Sequence, residues 1–144
     1  MIGVMVPSSF AEVIIVKTAI GSYAPGCETS NGCYLPQDIT IRIGDTVTWE
    51  NVDTAAHTVT GGSPANGLSG KIGDESLMMP KAVRSVTFND AGYYDYFCAV
   101  HPWMVGSVTV MNNIASFVDT TKDPQHYVDR YNNEPAYKEW FDEN

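Results

Sequence analysis

The chain has 144 residues, enough for one domain with a hydrophobic core and a short extension but too few for a two-domain enzyme. Its formal charge of -9 at pH 7 excludes nucleic acid and anionic membrane surfaces as partners, because both would repel the protein. A basic patch on another protein is the natural complement to this charge.

Residues 1–11 are mostly apolar and end in small residues, with Ser9 and Ala11 placed as in a signal-peptidase cleavage site. We therefore predict that residues 1–11 are the remnant of a secretory signal or a disordered N-terminus, and that the protein is exported to an extracytoplasmic space. No stretch of the sequence has the apolar length that a membrane span requires. Attachment to a membrane would need an anchor outside this chain.

Short strands are predicted through the next hundred residues. Residues 13–16 form a β-branched run, and residues 39–43 alternate apolar and polar side chains. The other predicted strands are 46–50, 58–60, 83–88, 92–97 and 106–110. Residues 61–80 are rich in turn-forming residues and predict a long connection, with a short strand or helical turn near 76–79. Several short strands separated by turns predict an all-β sandwich.

Three cysteines allow at most one disulfide within the chain. Cys27 and Cys33 lie in a turn-rich segment that can bring their sulfurs together, and two free thiols are the alternative. A disulfide closing so short a loop would contribute about 2–3 kcal/mol to stability on the chain-entropy model. Cys98 is then left without a partner, and metal ligation would give it a role.

From residue 112 the sequence changes character. Asp123 followed by Pro124 is typical of a helix start, so we predict a helix over 125–131 and a second helical segment over 136–141, after an interruption at Glu134 and Pro135. Residues 112–144 carry seven acids, three bases and six aromatic residues, too many aromatics for a solvated tail. This acidic aromatic extension is predicted to pack on the sandwich or on another subunit, which would make a homo-oligomer.

The strongest functional pattern is the three-residue spacing of Cys98, His101 and Met104. It places a thiolate, an imidazole and a thioether close together, and His57 can supply a second imidazole. Two imidazoles and a thiolate with a weak axial thioether suit copper in both of its oxidation states. Zinc is a weaker candidate, because methionine is a poor ligand for it.

The motif residues also resemble a known family. The similarity to the cupredoxins lies in residues 44–51 (GDTVTWEN), residues 56–59 (AHTV) and the Cys-x-x-His-x-x-Met loop. The loop is most similar to that of amicyanins, whereas plastocyanins place the methionine two residues further on. The resemblance covers residues 12–111, the predicted cupredoxin domain, with 112–144 as a separate extension. It implies a Greek-key β-sandwich that binds one type 1 copper through His57, Cys98, His101 and Met104.

Two positions refine this expectation. The small cupredoxins have asparagine after the first ligand histidine, whereas Thr58 stands here, so the hydrogen bonds near the thiolate are expected to differ. Phe97 occupies the position where nitrite reductases and multicopper oxidases carry a histidine that connects two copper sites. The resemblance therefore implies a mononuclear centre.

The function expected from these residues is one-electron transfer with redox partner proteins, and not catalysis. An alternative is copper-dependent redox chemistry on a small nitrogen oxide, which would require Met104 to leave the axial position open. A third possibility is copper storage or delivery.

Overall fold

The computed structural model describes residues 10–72, 76–112 and 122–143. The strands are β1 (Val13–Thr18), β2 (Tyr34–Leu35), β3 (Asp38–Arg42), β4 (Thr46–Glu50), β5 (Thr60–Ser63), β6 (Gly67–Leu68), β7 (Val83–Thr87), β8 (Gly92–Cys98) and β9 (His101–Met111). A single 3-10 turn spans Cys27–Ser30, and two helices follow the strands, α1 (Pro124–Asn133) and α2 (Pro135–Glu143).

The strands form two sheets, which confirms the predicted all-β sandwich. One sheet has the order β2-β1-β4-β7, and the other has the order β3-β9-β8-β5-β6. β1 runs parallel to β4 and β3 runs parallel to β9, whereas β8 and β9 form a long antiparallel hairpin. This hairpin carries three of the four predicted copper ligands.

Alternation along the strands explains how the sandwich is buried. In β3 the isoleucines Ile39 and Ile41 are buried and their neighbours are exposed, and in β4 Val47 and Trp49 are buried between half-buried polar residues. Successive side chains of a strand point to opposite faces, so each strand presents one apolar face to the core. Burying such side chains stabilises the fold by about 1.5–3 kcal/mol each.

The region predicted as a long connection contains a hairpin. The strand predicted over 58–60 begins only at Thr60, runs to Ser63 and pairs with β6. β5 contains Gly61 and Gly62, so it lacks the alternation of apolar and polar side chains by which a strand is predicted. Glycine is required at position 62, because its φ is 120° and an added Cβ would lie 2.0 Å from the Gly67 carbonyl oxygen. The short strand predicted near residues 76–79 is present as a single bridge between Met78 and His57.

The predicted disulfide between Cys27 and Cys33 is formed. It closes the loop that contains the 3-10 turn and leads directly into β2. Cys98 is free and buried. The pairing therefore leaves one thiol available to a metal.

The strands and the two C-terminal helices belong to separate compact units. Asp123 caps α1 by accepting a hydrogen bond from the Gln125 backbone N–H, as the sequence predicts, and α1 extends two residues beyond its predicted end. Tyr137 of α2 is buried and stacks on Tyr127 of α1 at 6.5 Å between ring centroids. The domain boundaries at 11 and 111 remain predictions.

The predicted signal remnant falls mostly on residues 1–9, outside the described part of the chain. Within the described residues, neither helix is long and apolar enough to cross a bilayer.

Candidate metal centre

The tight end of the β8–β9 hairpin positions two of the predicted ligands. Cys98 is the last residue of β8 and His101 the first of β9, and they are paired across the hairpin with only Ala99 and Val100 between them. β9 thus begins at His101 and not at residue 106, where the sequence predicted it. The ligand loop is therefore held by sheet hydrogen bonds almost along its whole length.

His57 lies in the connection between β4 and β5, and its side chain reaches the same place. Its backbone N–H donates to the Met78 carbonyl at 3.0 Å, and the Met78 N–H donates back to the His57 carbonyl at 2.7 Å. Both side chains are buried, with 1% of His57 and 3% of Met78 exposed. The bridge to Met78 thus fixes the backbone that carries the imidazole.

The three donor atoms converge. Cys98 Sγ lies 3.8 Å from His57 Nδ1 and 3.6 Å from His101 Nδ1, and the two Nδ1 atoms are 3.1 Å apart. Metal–nitrogen bonds of about 2.0 Å and a metal–sulfur bond of about 2.3 Å, at trigonal to tetrahedral angles, would separate such donors by roughly 3.3–3.7 Å. The donor set therefore fits a single metal ion of this size.

Met104, the fourth predicted ligand, lies three residues beyond His101 in β9. Its side chain is fully buried in the core. His57, Cys98 and His101 form the cluster whose ligand atoms all lie within 4.8 Å of one another.

The surroundings of Cys98 favour its thiolate form. Burial alone would raise the pKa of the thiol, but the contact with the His57 ring and hydrogen bonds from backbone N–H groups, Thr58 first among them, lower it overall. The Thr58 N–H lies 3.3 Å from Cys98 Sγ. Burial and the neighbouring His57 lower the pKa of His101. A thiolate and a neutral imidazole are the forms that bind a metal.

Asp53 is a functional residue that the sequence reasoning missed. Its Oδ2 accepts a hydrogen bond from His57 Nε2 at 2.9 Å, and both side chains are buried. A carboxylate can only accept, so Nε2 carries the proton and Nδ1 is left free to face Cys98. An acid four residues before a ligand histidine was the available signal, because carboxylates often orient metal-binding histidines in this way.

The same carboxylate also ties down the segment that follows β1. It accepts hydrogen bonds from the backbone N–H groups of Gly21 and Thr54 at 2.8 and 2.7 Å, and from the Ser22 hydroxyl and the Tyr23 N–H, both at 3.3 Å. Burial opposes ionisation of Asp53, but these hydrogen bonds lower its pKa to about 2. Asp53 is therefore ionised at neutral pH and holds residues 21–23 against the metal centre.

Trp103 anchors this segment to the ligand hairpin. Its indole Nε1–H donates to the Ser22 carbonyl at 3.0 Å, and its ring lies 5.4 Å from the His101 ring, centroid to centroid. The segment is thus attached at Asp53 on one side and at the β8–β9 hairpin on the other. Both attachments restrict movement of the ligand histidines.

Thr58 stands where the small cupredoxins have asparagine, and its hydroxyl makes two hydrogen bonds. Thr58 Oγ1 accepts a hydrogen bond from the Ala99 N–H at 2.8 Å and pairs with Thr60 Oγ1 at 2.9 Å. Since Ala99 follows Cys98 directly, this hydroxyl links the His57 segment to the ligand turn.

Comparison with known proteins identifies the family. Residues 26–111 match the model of the copper-binding plastocyanin/azurin family. The chain belongs to this family. Copper is the metal of the family, and the buried thiolate and two imidazoles are a fitting donor set for it.

Individual proteins similar to this plastocyanin/azurin-family chain support the same family assignment. An amicyanin from Paracoccus versutus is 41% identical over 78 residues, which are 54% of this chain and 57% of that protein. A plastocyanin from Synechococcus sp. is 34% identical over 110 residues, 69% of this chain and 74% of that protein. Among solved structures, a purple cupredoxin from Nitrosopumilus maritimus aligns with a TM-score of 0.60 at 28% identity, covering 68% of this chain and 99% of that one.

Proposed function

We propose that this protein is a one-electron carrier with a single type 1 copper held by His57, Cys98, His101 and Met104. The observation that carries the proposal is the convergence of Cys98 Sγ and two histidine Nδ1 atoms within 3.1–3.8 Å of one another. Copper bound there would alternate between Cu(I) and Cu(II), which a mixed nitrogen and sulfur ligand set accommodates.

Rigid ligands support this role, because a carrier exchanges electrons quickly only if its site rearranges little. Asp53 orients the His57 ring, the bridge to Met78 fixes the His57 backbone, and the paired ends of β8 and β9 hold Cys98 and His101. Supporting contacts of this kind keep a site in one geometry.

A path for the electron begins at His101, the proposed ligand that is only half buried. The adjacent Val100 is 51% exposed, and Met79, next to the His57 bridge, is 59% exposed. Apolar side chains beside a partly exposed ligand suit brief docking of a redox partner, and the charge of -9 would favour a partner with a basic surface.

Titration of the metal-free protein with Cu(II) tests the proposal. We expect one equivalent to bind with an intense thiolate-to-copper absorption band, and one electron per chain to remove and restore that band reversibly. Binding without the band, or reduction that releases the copper, would contradict a type 1 electron carrier.

The comparisons match amicyanins and plastocyanins and give no support to the nitrogen-oxide alternative. Within the described residues, the second group of metal-binding side chains consists of Cys27, Glu28 and Cys33, and its two cysteines are joined in the disulfide. That group offers no thiolate for another metal.

The Cys27–Cys33 bond supports an extracytoplasmic location, because disulfide bonds persist in oxidising compartments.

The helical extension supports a proposal of self-association. Tyr127, Val128 and Tyr131 line an apolar depression on the hairpin of α1 and α2, and Val128 is 49% exposed. Light scattering gives the number of subunits per particle, which is the measured mass divided by the mass of one chain. We expect this number to be smaller for a chain that ends at Met111 than for the full chain. If both chains were monomers, self-association would be refuted.

A further inference from the structure

Tyr34 is a buried tyrosine that directly follows the disulfide loop and contacts Thr58, the residue after the proposed ligand His57. It follows Cys33 directly, forms β2 with Leu35 and is 0% exposed. Its ring packs edge-on against Tyr96 at 5.0 Å between centroids. The bond between Cys27 and Cys33 and this packing leave the Tyr34 side chain one position in the core.

The hydroxyl of Tyr34 acts on the residue that contacts the proposed copper thiolate. It donates to the Thr58 carbonyl oxygen at 2.6 Å, while the Thr58 N–H lies 3.3 Å from Cys98 Sγ. The Thr58 hydroxyl accepts from the Ala99 N–H at 2.8 Å. Thr58 is therefore fixed at its carbonyl by Tyr34 and at its hydroxyl by the ligand turn, and both contacts hold its N–H towards the sulfur.

The phenol is the donor in its hydrogen bond to Thr58. An ordinary tyrosine has a pKa of about 10, so the hydroxyl carries its proton at neutral pH. The Thr58 carbonyl oxygen can only accept, so the Tyr34 hydroxyl is the donor of this hydrogen bond.

We propose that Tyr34 is a positioning residue that sets the reduction potential of the copper centre by holding the Thr58 N–H on the Cys98 sulfur. The inference rests on the proposed function. An N–H dipole directed at the thiolate stabilises negative charge there, and the reduced centre carries one more negative charge than the oxidised centre. Hydrogen bonding at the cysteine sulfur therefore tunes the potential of such a site, and this hydrogen bond favours reduction.

The variant Tyr34→Phe keeps the ring and removes the donor. We expect it to bind one equivalent of copper. The ratio of reduced to oxidised protein at a fixed applied potential should fall three- to tenfold, which corresponds to a reduction potential lower by roughly 30–60 mV for a one-electron couple. The thiolate-to-copper band should move to longer wavelength, because the electron on sulfur loses stabilisation relative to the charge-transfer state.

Tyr96→Phe is the matched control. Tyr96 is a second tyrosine of the same aromatic cluster, 1% exposed, whose hydroxyl lies over Gly106 of β9. The Tyr96→Phe variant should keep the reduction potential and the absorption band position of the unaltered protein, even if both tyrosine variants lose thermal stability.

The inference is overturned if Tyr34→Phe and Tyr96→Phe share the potential and spectrum of the unaltered protein, since Tyr34 would then be purely structural. Loss of copper binding in Tyr34→Phe would also overturn it, because the proposed role leaves all four ligands in place. A missing band in the unaltered protein would instead refute the proposed function, so the two failures are observed in different samples.

Discussion

Replacing Cys98 with serine is expected to abolish the thiolate-to-copper absorption band completely. The sulfur of Cys98 is the free thiol of the chain, it is buried, and its pKa is lowered by the contact with the His57 ring and by backbone hydrogen bonds. Serine has nearly the same shape, but its hydroxyl does not ionise at neutral pH and is a poor ligand for Cu(I). Absorption spectra recorded during titration with Cu(II) give the measurement directly.

The other two cysteines provide the control. Replacing both Cys27 and Cys33 with serine removes the disulfide and should lower the free energy of unfolding by about 2–3 kcal/mol, from the length of the loop it closes. The copper band should remain, since neither residue donates to the three-atom cluster of His57, Cys98 and His101. An intense band that survives in Cys98→Ser would contradict the proposed centre.

The proposed ligands can be picked out of the sequence because three of them lie within seven residues. A hairpin with a two-residue turn keeps Cys98 and His101 together whatever the rest of the fold does. The strands β3 and β4 were equally clear, since buried isoleucine, valine and tryptophan alternate there with polar residues. Local patterns of this kind are visible before the chain folds.

What the sequence did not predict depends on contacts between distant residues. Asp53 gains its role because the N–H groups of Gly21 and Tyr23, some thirty positions earlier, meet its carboxylate beside His57. Tyr34 reaches Thr58 only because β2 pairs with β1 at the end of the sandwich. The bounds of β5 were wrong for a different reason, because Gly61 and Gly62 give no apolar alternation.

Asp53→Asn is expected to weaken copper binding by 10- to 100-fold and to lower the free energy of unfolding by about 2–4 kcal/mol. Both oxygens of Asp53 accept hydrogen bonds: Gly21 and Thr54 donate to Oδ1, while Ser22, Tyr23 and His57 donate to Oδ2. An asparagine has one acceptor oxygen, so its NH₂ group must face buried donors in either orientation. With the NH₂ group on the side of His57, the ring loses the acceptor that fixes its tautomer, and with the oxygen on that side, the neutral amide is a weaker acceptor than the carboxylate.

Asp45→Asn separates the effect on the metal centre from the effect on stability. Asp45 is also buried and accepts backbone hydrogen bonds from Glu12 and Arg42, both at 2.8 Å, in the turn between β3 and β4. Its variant should lose stability in urea unfolding while its copper affinity, measured by competition with a chelator, stays unchanged. If both variants bound copper equally well, Asp53 would serve the fold alone. A loss of copper affinity confined to Asp53→Asn would identify the carboxylate as the group that keeps the proton of His57 on Nε2 and leaves Nδ1 able to bind copper. The ring alone does not fix this arrangement, because either of its nitrogens can carry the proton.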